Sequence, residues 1–177
     1  MPPVETPELS LTEYAVLGVL AENPAHGFAV SKVLAPEGPV GRVLTVRRPL
    51  TYRALDRLVE AGLATAVHTE PGDAGPERII HRITPTGKRR LKRWLAEPVQ
   101  HIRDMRIEFQ LKLTLLNRSR QSPLALVQAQ RVVLQPTLAA LEGASEQPPD
   151  HLELWRQHNA AATDAYLRDL EAAYRSI

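Results

Sequence analysis

The chain has 177 residues, 24% of them charged, a formal net charge of +2 and no cysteine. That length can bury the core of one medium domain or two small ones without covalent staples, and the missing thiols exclude disulfides, thiolate metal sites and a cysteine nucleophile. No apolar run approaches the roughly 18 residues of a membrane span, and MPPVETPELSL has neither the basic nor the apolar region of a signal peptide, so a soluble, cytoplasmic protein with no membrane partner is expected.

Residues 1–8 are rich in proline and glutamate and predict disorder. Ser10-Leu11-Thr12-Glu13 is a capping box, with Leu9 and Tyr14 spaced for the hydrophobic staple, and it predicts a first helix over 11–22 ended by Asn23-Pro24. Tyr14, Ala15, Val16, Leu17, Val19 and Leu20 leave that helix apolar nearly all round. It should be buried on most sides, with a partner subunit as one way to cover it. His26-Gly27 opens a second helix to about Leu34, with Phe28, Val30, Val33 and Leu34 apolar and Lys32 outward. The two prolines and two glycines of Ala35–Gly41 predict irregular chain.

A third helix starts at Arg48-Pro49, where proline's fixed φ suits the first turn, and stops at Gly62. At 100° per residue Thr51, Ala54, Leu55, Leu58 and Val59 share one side, and Pro49, Tyr52, Arg53, Asp56 and Glu60 the other. One side meets a core and the other offers arginine and tyrosine, which suit guanine edges and phosphates in a major groove. Two helices and a glycine-proline turn before such a helix make a helix-turn-helix. The segments 63–69 and 78–84, rich in β-branched residues and separated by EPGDAGPE, predict a hairpin that would serve as a wing. Thr84-Pro85 then starts a fourth helix with Gly87, Leu91, Trp94 and Leu95 inward and Lys88, Arg89, Lys92 and Arg93 outward.

Charge is unevenly placed along the chain. Arg42, Arg47, Arg48, Arg53 and Arg57 face only Asp56 between positions 42 and 57, and seven cations from Arg78 to Arg93 face no acid, while the chain after Pro98 carries nine cations and nine acids. Two basic segments in an otherwise balanced chain are what attraction to a phosphate backbone requires. The C-terminal half predicts three more helices: 102–117, 122–142 with a kink at Pro136, and, after the loop from Gly143, a last one capped by Asp150 and Glu153. Trp155, His158, Ala162, Ala165 and Asp169 recur along that last helix at steps close to a heptad seam, the pattern of a surface that packs on a second copy.

Three stretches, LTEYAVLGVLAENPAHGF from Leu11, LTYRALDRLVEAGL from Leu50 and HRITPTGKRRLKRWL from His81, resemble the winged-helix domain of the PadR family of bacterial transcriptional regulators. RIEFQLKLTLL from Arg106 resembles the start of the all-helical C-terminal region of its longer members. His81 stands where the family carries a tyrosine. The resemblance implies a mainly α fold with a small β-hairpin, a winged helix-turn-helix DNA-binding domain over 9–97, and a helical dimerisation and effector domain over 98–177. It also implies a dimeric repressor bound to a double-stranded DNA operator, and an effector of small aromatic type.

The expected DNA-binding residues are Arg48, Thr51, Tyr52 and Arg53 nearest the DNA, with Tyr52 suited to phosphate contact, Arg47 and Arg57 on flanking phosphates, and Arg78 and Arg82 on the wing. Trp94 and Trp155 are candidates to line an effector pocket, the plainer alternative being that each serves packing. His151 and His158 lack a third ligand, so no metal site is expected, and His68 and His81 are expected to face each other across the wing. No nucleophile elbow, phosphate loop, dinucleotide fingerprint or zinc-protease motif occurs, so neither enzyme activity nor a cofactor is expected. The rival readings are a winged helix that binds only protein, and a ligand-binding protein with no primary DNA role.

Overall fold

The computed structural model describes residues 8–71, 77–142 and 150–176. The expectations for the N-terminal segment through residue 7, the centre of the wing turn and the loop from Gly143 to residue 149 lie outside those residues. The chain divides into two units between Trp94 and Leu95, inside one helix.

In the first unit, α1 (Leu11–Glu22) begins at Ser10, whose hydroxyl accepts from the Glu13 N–H while the Glu13 carboxylate accepts from the Ser10 N–H at 2.7 Å. Ala15, Val16 and Leu17 are completely buried. α2 (Gly27–Val33), α3 (Arg48–Glu60) and the sheet of the same unit pack on α1, so no partner subunit is needed to cover it. α2 is capped by His26, whose Nδ1 accepts from the Ala29 N–H at 3.1 Å. The irregular segment that follows runs on to residue 47. It is pinned by hydrogen bonds from Val40 N–H to the Val33 carbonyl and from Val46 N–H to the Leu34 carbonyl, which fixes where α3 starts relative to α2.

α3 ends at Ala61. Gly62 takes φ +67°, and Gly62 and Leu63 N–H groups return to the Val59 and Leu58 carbonyls, the paired bonds that close a helix at a left-handed glycine. The wing is β2 (Ala64–Glu70) and β3 (Arg78–Ile83), joined on the far side of β3 by β1 (Ala25–His26). β1 is too short for a period-2 pattern to reveal. It pairs Ala25 with His81 and ties the start of α2 to the wing. A register irregularity between Ala66 and His68 puts His81 opposite Ala66 and His68 opposite Ile80, so the two histidines do not face each other; His68 Nε2 instead lies 3.0 Å from Glu70 Oε1. α4 (Pro85–Ala96) starts under Thr84, whose hydroxyl donates to the Gly62 carbonyl at 2.8 Å and accepts from the Gly87 N–H at 3.0 Å.

The second unit holds a 3-10 turn (Ile102–Met105), α5 (Glu108–Arg118), α6 (Leu124–Glu142) and α7 (His151–Arg175). The single helix expected over 102–117 is broken at Arg106-Ile107. No proline or glycine marks that break; Met105 turns into the core while Ile107 stays exposed. α7 has the full capping box of Asp150 and Glu153. Pro136 lies inside α6 and removes the donor that the Val132 carbonyl would use, at a position where Val132 is 69% exposed. Phe109, Leu111, Val127, Leu134 and Leu167 form the centre of this core.

Candidate nucleic-acid interface

α3 is built to offer positive charge. Arg47 is its N-cap and makes no side-chain cap bond, Pro49 lies in the first turn, and that turn contains no acid. Two arginines therefore stand where aligned peptide dipoles already place partial positive charge. Such an end disfavours the free helix and favours an anion in front of it. Arg47, Arg48, Tyr52 and Arg53 are all exposed, and Arg53 has no ion pair or hydrogen bond among the described residues. On the wing, Arg82 is exposed and Arg78 half-exposed.

One of the expected contacts needs correction, and another is shared with the protein itself. Thr51 is fully buried, because the helical period sets it beside Ala54, Leu55 and Leu58; it belongs to the core and cannot touch a base. Arg57 is engaged within the protein: its Nε lies 3.0 Å from Glu13 Oε1, which ties α3 to the capped start of α1. Half of the Arg57 side chain remains exposed, while the Glu13 carboxylate it meets is buried. Val59, placed on the inner side by the helical wheel, is 37% exposed.

The N-terminal part of α3 is backed by two aromatic rings. Phe28, read from the sequence only as an apolar residue of α2, is half-buried and has two cations over its ring: Lys32 Nζ at 4.7 Å and the Arg48 guanidinium at 4.8 Å from the centroid. The Arg48 guanidinium also lies 5.8 Å from the Tyr52 ring. Tyr52 in turn lies on Gly27, where an added Cβ would come within 2.6 Å of Tyr52 Cε1. These residues border a concavity of about 430 Å³ that also reaches Asp56, Arg78 and His81. The available signal was the Phe28–Lys32 spacing of four on one helix, which puts a cation over a ring. Burial holds the His81 imidazole below its ordinary pKa of 6.5, against the opposing pull of the Asp56 charge and a backbone hydrogen bond at Ile79. Its Nδ1 has no hydrogen-bond partner among the described residues.

The two tryptophans have different surroundings, each within its own unit. Trp94 is buried and stacked on Tyr14, centroids 4.1 Å apart and planes 6° from parallel, with the Tyr14 hydroxyl accepting from Arg90 Nε. Trp155 stands 63% exposed on α7. A second concavity, of about 520 Å³, runs between α6 and α7 beside Arg131, Asp164 and Glu171, and neither tryptophan lines it or the first. Among the described residues no three His, Asp or Glu side chains are grouped to hold a metal ion, and no helix is long and apolar enough to cross a membrane.

Residues 16–93 match the model of the Transcriptional regulator PadR-like family. Among solved structures the chain is similar to Bacillus subtilis PadR in complex with operator DNA, at 20% identity over 93% of this chain and 99% of that chain, with a TM-score of 0.49. It is also similar to the smu.1604c protein of Streptococcus mutans, at 19% identity over 93% of this chain and 92% of that chain, with a TM-score of 0.45. Bacillus subtilis PadR alone gives 19% identity over 96% of this chain and 99% of that chain, with a TM-score of 0.42. No curated protein matches the chain.

Proposed function

We propose that the chain, whose residues 16–93 match the model of the PadR-like family of transcriptional regulators, is a dimeric repressor that reads a specific DNA operator. The family is one of regulators and not of enzymes. The observation that carries the proposal is the exposed edge of α3: Arg47, Arg48, Tyr52 and Arg53 project from the positive end of a helix with no acid in its first turn. In this reading residues 9–97 bind DNA and 98–177 dimerise. Arg48 and Arg53 fork onto bases in the major groove. Arg47, Tyr52 and the free part of Arg57 meet phosphates, and Arg78 and Arg82 anchor the wing.

Dimerisation is supported by α7, whose heptad positions Trp155, His158, Ala162, Ala165 and Asp169 are all exposed in the single chain, together with Leu152 and Leu154 at 44% each. A second copy seated on that face would bury them and set the spacing of two reader helices. Relief by an aromatic ligand would then act through Trp155, since Trp94 is already stacked. It requires different ligand affinity for two arrangements of the dimer.

The test is titration of the full chain onto DNA from upstream of its own coding region, with random DNA as competitor and at two salt concentrations. Binding that survives competitor and weakens steeply with salt supports a sequence-specific regulator. Absence of any DNA binding at low salt overturns the proposal in favour of a protein-binding winged helix.

A further inference from the structure

Arg48 is the residue in this interface whose position is most closely determined by its neighbours, and those neighbours come from another helix. Its guanidinium lies over the ring of Phe28 on α2 and beside the ring of Tyr52 on α3. An arginine side chain has several freely rotating bonds, and freezing them on binding opposes affinity. A guanidinium stacked on a ring before DNA arrives has already lost much of that freedom, while its donor edge stays available, because stacking uses the face and hydrogen bonding uses the rim.

We propose that Phe28 is a positioning residue for base reading: it holds the Arg48 guanidinium in place, with Lys32 on the same ring and Tyr52 wedged against Gly27 completing the support. The inference rests on the proposed DNA-reading role of α3 and adds that sequence preference is set partly from α2. The rings make no base contact in this arrangement. They determine where a forked donor points, so that a guanine in the right register is met without rearrangement and other bases are not. Gly27 belongs to the same device, since a methyl group at that position meets Tyr52 ring atoms at 2.6 and 2.9 Å and pushes the ring off its seat.

The experiment first selects duplexes from a random pool with the full-length wild-type protein. It then measures affinity for the selected duplex and a scrambled one with Phe28→Leu, Phe28→Tyr, Gly27→Ala, Arg48→Ala and the Phe28→Leu/Arg48→Ala pair. Phe28→Leu should reduce the selected-to-scrambled ratio roughly five- to tenfold, in keeping with a stacked cation in a partly desolvated site. Phe28→Tyr should retain the ratio, and the double variant should match Arg48→Ala alone. Gly27→Ala, which leaves Phe28 in place, should lower the ratio in the same direction and carries the test should Phe28→Leu fail to fold. Equal losses on both duplexes, or losses that add in the double variant, would overturn the positioning role while leaving Arg48 as a reader. A pool that yields no enriched sequence would remove the DNA-reading proposal and this one with it.

Discussion

In the C-terminal unit cations meet carboxylates of the same unit: Arg131 and Arg175 both pair with Glu171, Arg168 with Asp164 at 2.9 Å and Lys112 with Glu108 at 2.9 Å. In the N-terminal unit Arg47, Arg53, Arg82, Lys88, Lys92 and Arg93 are exposed with no ion pair among the described residues, and Arg48 rests on rings. Arg57 is held by Glu13, and Arg90 donates to the Tyr14 hydroxyl. A net charge of +2 thus conceals a polarised chain. The C-terminal unit pairs several of its cations internally, although Arg106, Arg120 and Arg156 are exposed with no ion pair among the described residues, while the N-terminal unit leaves more of its charge available to a partner. Both cores also contain buried polar groups. The C-terminal core contains Lys112, which donates to the Glu97 carbonyl at 2.6 Å, and Gln130, whose amide accepts from Val99 N–H and donates to the Val99 carbonyl, both at 2.8 Å. The N-terminal core contains Glu13, whose carboxylate accepts from the Ser10 N–H at 2.7 Å, Ser31, whose hydroxyl donates to the Phe28 carbonyl at 2.8 Å, and Thr51, whose hydroxyl has no partner among the described residues.

If polar satisfaction is what holds the C-terminal unit, the largest effect should come from removing it. Gln130→Ala leaves the Val99 N–H and carbonyl buried without partners, and should cost about 2–3 kcal/mol in denaturant unfolding. An unchanged midpoint would mean that water replaces the amide. On the other side, Arg53→Ala should weaken binding to a selected duplex by about 1–3 kcal/mol and to random DNA far less, with the unfolding midpoint unmoved, because the side chain supports nothing within the protein. Equal losses on both DNAs would end its role as a base reader.

How much of this was legible in the sequence follows from the range of the forces involved. Local signals read well: the capping boxes at Ser10 and Asp150, the proline start of α3 and the Gly62 stop all lie where their residues put them. They depend on bonds within a few residues. Pairings across the fold did not read. β1 is two residues long and exists because β3 accepts it, and the break at Arg106-Ile107 follows tertiary burial of Met105. At the candidate site the helical wheel exposed Tyr52 and Arg53 correctly and also placed Thr51 inward; naming Thr51 among the residues nearest the DNA went against that wheel. The Arg57–Glu13 pair and the Phe28–Arg48 stack join residues 44 and 20 positions apart, beyond the reach of any periodicity.

Smaller effects test whether the wing shares the outward character of α3. Arg82→Ala should weaken selected and random DNA alike, by under about 1 kcal/mol, and reduce the salt slope by about one. A change in sequence preference would instead make the wing a reader.

The smallest and most discriminating effect is with acid, because the two units contain groups shifted for opposite reasons. His81 is held below its ordinary 6.5 chiefly by burial, so the unfolded chain takes up its proton first and the N-terminal unit should begin to lose stability as pH falls below 6.5. Glu171 is held below its ordinary 4.5 chiefly by its hydrogen bond from Arg131, then by one from Gln128. Its contribution is present above 4.5 and is lost as pH falls through the lower folded value, so the C-terminal unit should hold until more acid conditions. Backbone hydrogen exchange across a pH series separates the two, since it reports each unit by its own amides. His81→Phe should abolish the first loss and Glu171→Gln the second. A single loss common to both units, unaffected by either substitution, would mean that the units unfold as one and that their separate treatment of charge has no separate consequence for stability.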